Sequence, residues 1–349
     1  MEFGIYTFVE NTEHPQLDGR RSPSERVEHL LEEIELADRT GLDVYAIGEH
    51  HREEYVSSAP PVLLAAAASV TKNIKLSSAV TVLGSEDPVR VFQQFSTLDL
   101  ISKGRAEIIA GRGSFIESFP LFGYELNNYE ELFEEKLELL LQLREQEIVN
   151  WKGNYRPAIE NRGVYPRPYQ KKIPIWRAVG GTPTSAYRAG LLGIPMAIAI
   201  IGGQPAQFKP MVEYLKRGAT EAGHKFPGVS INSHGFIADT REEAIDIAFP
   251  AFKETMDRIG RERGWPPLTR SQFEASCTLH GANVVGTPDD VVEKILYQHK
   301  IFGHRRFLLQ MSVGSVPQDK LLKSIELFAT KVAPAVREEL GAQKEAELQ

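Results

Sequence analysis

The chain has 349 residues, 42% of them hydrophobic and 25% charged, with a formal net charge of −7. This is the profile of a globular α/β chain, and an acidic balance without a basic cluster argues against nucleic acid as a partner. The single cysteine, Cys277, permits no intrachain disulfide and fits a reducing, cytoplasmic setting. Even the apolar run MAIAIIGG at 196–203 is strand-length and far short of a membrane span.

Taken in order, MEFGIYTFVE lacks the charged start and apolar core of a leader, and Phe3 to Phe8 reads as a first strand. Glu10 to Pro23 is polar and irregular, long enough for an active-site flap. Ser24 to Thr40 is an amphipathic helix stopped by Gly41. Val44 to Gly48 is the second strand and runs into Glu49-His50-His51. Pro60-Pro61 opens an alanine-rich helix. Leu76 to Val82, β-branched and uncharged, suits a third strand buried on both faces. Asp87-Pro88 then supplies an N-cap and a first-turn proline. Val89, Phe92, Phe95, Leu98 and Ile101 make one face of that helix apolar. Ala106 to Ala110 is the fourth strand and leads into Gly111-Arg112-Gly113-Ser114.

A long helix over Asn127–Glu147 and an irregular excursion from Trp151 to Tyr169 precede the fifth strand, Pro174 to Ala178. Strand six is Pro195 to Ile201, strand seven Val229 to Ile237 and strand eight Arg306 to Met311, each followed by a helical stretch; residues 264 to 283 read as irregular. Eight strand–helix alternations without a break in composition predict a single-domain (β/α)₈ TIM barrel with loop insertions, spanning 1–349. In such a barrel the loops at the strands' C-terminal ends share one mouth, and chemistry is expected there.

Three of those loops carry suitable residues. Gly180-Gly181-Thr182-Pro183-Thr184-Ser185 offers free N–H groups and hydroxyls at a helix start, suited to a phosphate, or else Thr182 simply caps the helix. Gly111 to Ser114 sets one fixed cation, Arg112, among flexible backbone donors, suited to an anion or to a plain solvated turn. In Glu49-His50-His51, adjacent side chains of an extended strand point opposite ways, so at most one histidine serves a given site, as base or acid. Further ligands for a metal are missing, and neither a nucleophile elbow nor a dinucleotide fingerprint occurs. No metal centre is expected.

EHH at 49–51, DPVRVFQQFSTLDLISKGR at 87–105, GRGSF at 111–115, FPLFG at 119–123, GGTPTSAYRAGLLGIPM at 180–196 and VGTPDDVV at 285–292 together resemble, in order and over nearly the whole chain, the luciferase-like flavin monooxygenase family. The resemblance implies a barrel that binds FMN at its C-terminal mouth. Gly111, Arg112, Gly113 and Ser114 match the segment gripping the flavin phosphate, and Gly181, Thr182 and Ser185 match its second half. Ala79-Val80 matches the strand end beside the flavin ring, where relatives often hold a cis bond between non-proline residues. His50 matches the catalytic histidine. In the luciferase catalytic chain, however, a carboxylate stands where Gly181 is and a cysteine where Gly111 is, so light emission and a long-chain aldehyde substrate do not follow. The resemblance also implies reduced FMN as co-substrate, O₂, a small organic substrate, a separate flavin reductase and a homodimer. An F420-dependent dehydrogenase and a non-catalytic flavin-binding protein are the alternatives. Phe8, Phe115 and the 264–283 segment are placed on the substrate side by position alone. The apolar faces of helices 24–40 and 88–102 are read as core.

Overall fold

The computed structural model of the chain describes residues 1–17 and 19–347, with side chains to residue 343. Eight parallel strands form a closed barrel: β1 (Glu2–Thr7), β2 (Val44–Ile47), β3 (Lys75–Ser78), β4 (Ala106–Gly111), β5 (Ile175–Val179), β6 (Met196–Ile200), β7 (Val229–Ile237) and β8 (Arg306–Gln310). Each pairs with the next; β8 returns to β1 with Arg306 opposite Glu2, which closes the ring. The β6–β7 register runs from Met196↔Val229 to Ile200↔Ser233, and β7–β8 from Ser230↔Arg306 to His234↔Gln310.

Two apolar clusters follow from strand alternation. Side chains facing outward join the helices in one large core around Phe3, Leu76, Ile108, Ile198 and Phe307. A smaller set, including Tyr6, Ala46, Ile109, Trp176 and Leu308, fills the barrel itself. Its N-terminal end is plugged by charge. Arg306 is 1% exposed and donates to both oxygens of Glu107, at 2.7 and 3.1 Å, and to Glu2 at 2.8 Å. The guanidinium also lies 4.4 Å from the Trp176 ring centroid. With that end sealed, ligands have the other end.

The helix Pro88–Ser102 starts as its sequence dictates: Asp87 accepts from the N–H groups of Val89 and Arg90 at 2.8 and 3.3 Å, with Pro88 in the first turn. Phe92, Phe95 and Leu98 are buried, but Ile101 is 51% exposed, so the face read as core is partly on the surface. The third strand also differs from expectation. It stops at Ser78 and resumes as a two-residue stretch, Thr81–Val82, pairing with β4 after a cis peptide at Ala79–Val80.

Three irregular readings change as well. The excursion after Trp151 holds an antiparallel hairpin, Ile148–Trp151 with Ile159–Gly163. Within 264–283 lies a short helix, Arg270–Ser276, opened by a capping box between Thr269 and Gln272. The segment after Glu10, expected to be a flap, is fastened down instead: Thr12 and Ser315 exchange hydrogen bonds of 2.7 and 2.9 Å, and the Asn11 N–H donates to the Glu54 carbonyl at 2.8 Å.

Candidate active site

The C-terminal ends of the strands surround a cavity of about 220 Å³. His50 enters it from the turn after β2. Its ring is stacked on Tyr55 at 4.5 Å between centroids and meets Phe8 and Phe115 edge-on at 4.3 and 5.2 Å. Burial, with His51 and Arg52 nearby, lowers its pKa to about 3. A histidine so placed is neutral across the physiological range, so it can accept a proton or hydrogen bond but is not a resident acid. His51 does not line the cavity. It bonds Glu49 at 2.8 Å, and the second Glu49 oxygen accepts from the Val82 N–H at 2.8 Å. Glu49, which lines the cavity and was not singled out from the sequence, thereby fastens the turn containing Ala79 and Val80.

Ala79 and Val80 form the wall on the β3 side. At Gly111 an added Cβ would sit 2.9 Å from both Val80 methyl carbons, so only glycine leaves this slot its width. Gly113, at φ +77°, lets the chain turn away from β4. Arg112 lies at the rim with its guanidinium 5.4 Å from the Tyr129 ring centroid and 2.9 Å from Glu130, a largely exposed partner that an anion can replace. Tyr129 in turn donates to the Gly113 carbonyl at 3.1 Å. His50, Ala79, Val80, Gly111, Arg112, Gly113 and Ser114 thus share one cavity, as their positions in the sequence suggested.

The loop after β5 joins them less completely. Gly180 lines the cavity, whereas Gly181, Thr182 and Ser185 lie past its edge. Thr182 stands at the N-cap of the helix Pro183–Leu191 but makes no side-chain cap bond. Ser185 is held from behind by Arg177, which reaches it at 3.0 Å through Nε and forms a fork with Glu134. Arg177 could not be singled out beforehand, because its partner lies on a helix 43 residues earlier.

Two more polar groups on the wall escaped notice: Asn232 and His234, both on β7. Burial lowers the pKa of His234 to about 4. The signal was present as Ser230, Asn232 and His234 at every second position, a polar row on the inward face of a strand whose other face carries Val229, Ile231 and Ile237. Phe8 lines the cavity and Phe115 packs on His50, while the 264–283 segment sends Phe273 and Asn283 only to a small hollow beside His234.

The helix Arg241–Arg263 follows β7, and its C-terminal end is tied across the mouth. Arg52 binds Glu262 at 2.9 Å, Glu117 at 3.3 Å and Glu54 at 3.4 Å; Arg258 binds Glu54 at 3.1 Å. Arg263 donates to the Ser114 carbonyl at 3.1 Å.

Residues 1–305 match the family model described as luciferase-like monooxygenase. The chain belongs to that family. It is 24% identical over 331 residues to the alkanal monooxygenase alpha chain of Aliivibrio fischeri, covering 86% of this chain and 90% of that one. To the F420-dependent glucose-6-phosphate dehydrogenase of Amycolatopsis mediterranei it is 26% identical over 330 residues, covering 84% and 95%. Among solved structures, monooxygenase RslO1 from Streptomyces bottropensis superposes with a TM-score of 0.83 at 25% identity, covering 96% and 99% of the two chains. The luciferase-like chain is therefore an oxidoreductase-family barrel whose relatives include monooxygenases and an F420-dependent enzyme. Among its described residues no helix is long and apolar enough to cross a membrane.

The cavity suits a flat ring with an anionic tail. Its inner wall is small and uncharged at Ala79, Ala178, Ala197 and Ala199, and the Gly111 slot would be filled by any side chain. Its volume is slightly below the range of about 300–1,000 Å³ typical of small-molecule sites, and Arg112 stands at its rim.

Proposed function

We propose that this luciferase-like chain is a two-component monooxygenase that takes reduced FMN from a separate reductase, together with O₂ and a small organic substrate. The observation carrying this reading is the junction of an uncharged, Gly111-gauged slot with a cationic rim and a buried, neutral His50. Arg112, Ser114 and the N–H groups of the Gly111–Gly113 turn would hold the phosphate on one side, and Gly181, Thr182 and Ser185, just past the cavity's edge, would close on it from the other. Ala79 and Val80 flank the ring. When bound, reduced FMN supplies the electrons that activate O₂. The neutral His50 would accept a hydrogen bond from the reacting group and pass its proton on, and the Phe8–Tyr55–Phe115 surround would exclude water there.

Anaerobic mixing of the chain with reduced FMN, followed by aerated buffer in a stopped-flow spectrometer, tests this. Oxidation slower than that of free reduced FMN is expected, and oxidation at the free rate overturns it. The identity to an F420-dependent relative over 84% of the chain favours a second reading, hydride transfer with F420 and no O₂. Tighter binding of F420 than of FMN, measured by fluorescence titration, would select it.

The same proposal includes a homodimer. Val62, Leu100 and Ile101 are 66%, 43% and 51% exposed on neighbouring helices, Pro60–Val70 and Pro88–Ser102, an apolar face that a second copy would cover. Ile101→Glu should halve the sedimenting mass. An unchanged mass places the interface elsewhere.

A further inference from the structure

Asn232 and His234 have no part in the machinery assigned so far. Both face the barrel interior from β7, which lies across the ring of eight strands from β3. They therefore stand opposite Ala79–Val80, with the breadth of the cavity between.

His234 is 5% exposed, its ring makes no hydrogen bond among the described residues, and Nδ1 is sealed from solvent. Its one ring contact is edge-on to Phe252 at 5.6 Å, which an apolar side chain would serve as well. An imidazole buried without a partner weakens a fold, so the fold is not the reason for it. Its register neighbour on β8 is Gln310, also inward-facing and 1% exposed. Gln310 Nε2 is committed to the Glu10 carboxylate, which Thr7 and Ser312 also bind at 3.1 Å each. Gln310 Oε1 is buried and unpartnered. Nδ1 is the sealed nitrogen, so Nε2 is the one left for the cavity. Asn232 is complementary: Oδ1 accepts from Ser230 at 3.0 Å, leaving the Nδ2 donors free. The hollow beside His234 is lined by apolar side chains such as Ala248, Phe252 and Val285.

We propose that Asn232 and His234 are the substrate-recognition pole of this site, selecting a hydroxyl group on an otherwise apolar small molecule. Asn232 Nδ2 donates to the hydroxyl oxygen, and His234 Nε2 accepts its proton in a hydrogen bond. The inference rests on the β3 wall being the cofactor's, in that the space facing β7 is then the substrate's.

The test uses the full chain with ¹⁵N-labelled histidine imidazoles, cyclohexanol, cyclohexanone and cyclohexane as probes, and the His234 signal assigned by its loss in His234→Phe. Cyclohexanol should shift the Nε2 resonance saturably, cyclohexanone should shift it less, and cyclohexane should leave it unmoved. Asn232→Leu should weaken cyclohexanol binding about tenfold, the worth of one well-made hydrogen bond. No response to cyclohexanol, or an equal response to cyclohexane, overturns the proposal. Ligand-free His234→Phe should melt about 1–3 °C higher than the parent chain. A lower melting temperature with unchanged cyclohexanol binding marks a structural histidine and also overturns it. FMN affinity should stay within about twofold in both variants; a tenfold loss would move the pair to the cofactor and refute the substrate role. If the parent chain takes up no FMN while cyclohexanol still shifts His234, the cofactor reading fails and the recognition pole stands.

Discussion

Replacing His50 by Phe tests whether the histidine at the cavity is neutral in the folded chain. Burial, with His51 and Arg52 beside it, lowers its pKa from 6.5 to about 3, so only the unfolded chain takes up its proton in mildly acid solution. The stability this contributes is complete above the unfolded value and is lost as pH falls from about 6.5 towards about 3. At about pH 5 the unfolded state is favoured by the 1.5-unit gap to 6.5 at about 1.4 kcal/mol per unit, or about 2 kcal/mol. His234 and His304, lowered to about 4 and about 3, act in the same direction and remain in the variant. Glu10, raised to about 7 by burial, acts in the opposite direction, so the whole-chain pH curve cannot isolate His50. The difference between parent and variant can. Urea unfolding at about pH 7.5 and about pH 5 should show His50→Phe losing about 2 kcal/mol less than the parent between the two. An equal loss would mean that His50 is protonated as readily inside the fold as outside it, which would refute its neutral state.

Arg112→Ala should raise the FMN dissociation constant about tenfold to a hundredfold, the range for a charge-assisted contact, with the circular dichroism spectrum unchanged; fluorescence titration measures it, and an unaltered constant would place the phosphate elsewhere. Gly111→Val should abolish FMN uptake in a chain that still folds, because even its Cβ would meet the Val80 methyls at 2.9 Å. Persistent uptake would mean the ring does not lie in that slot. Arg306→Leu strands Glu107, whose side chain is 4% exposed, and should lower the unfolding free energy by about 3–5 kcal/mol in denaturant titrations. A loss under about 1 kcal/mol would show that the plug contributes little to stability.

The sequence carried the barrel because most strands announce themselves locally as short apolar runs, punctuated by glycine or a helix cap, at intervals that leave room for a helix. The mouth was legible for a related reason, since a strand's C-terminal end is fixed once the strand is found, and Glu49-His50-His51 and Gly111 to Ser114 lie directly on such ends. What stayed hidden depends on distant partners. Arg177 is explained only by Glu134, and the capping of the mouth only by Arg52 meeting Glu262, 210 residues later. The polar row on β7 lay in plain view but was passed over, because alternation in a strand ordinarily means polar side chains outward. Inside a barrel that sense is inverted, because the helices cover the outer face and the cavity takes the inner one. The supposed flap after Glu10 failed similarly: polarity suggested solvent, yet Asn11, Thr12 and His14 are buried against loops from other parts of the chain.

Arg52 stands two positions beyond His50 in the same turn, and the end of the helix Arg241–Arg263 hangs on it. The imidazole at the cavity and the helix end across its mouth are thus fastened to one short turn through one arginine. Salt, which screens those ion pairs, should weaken that fastening.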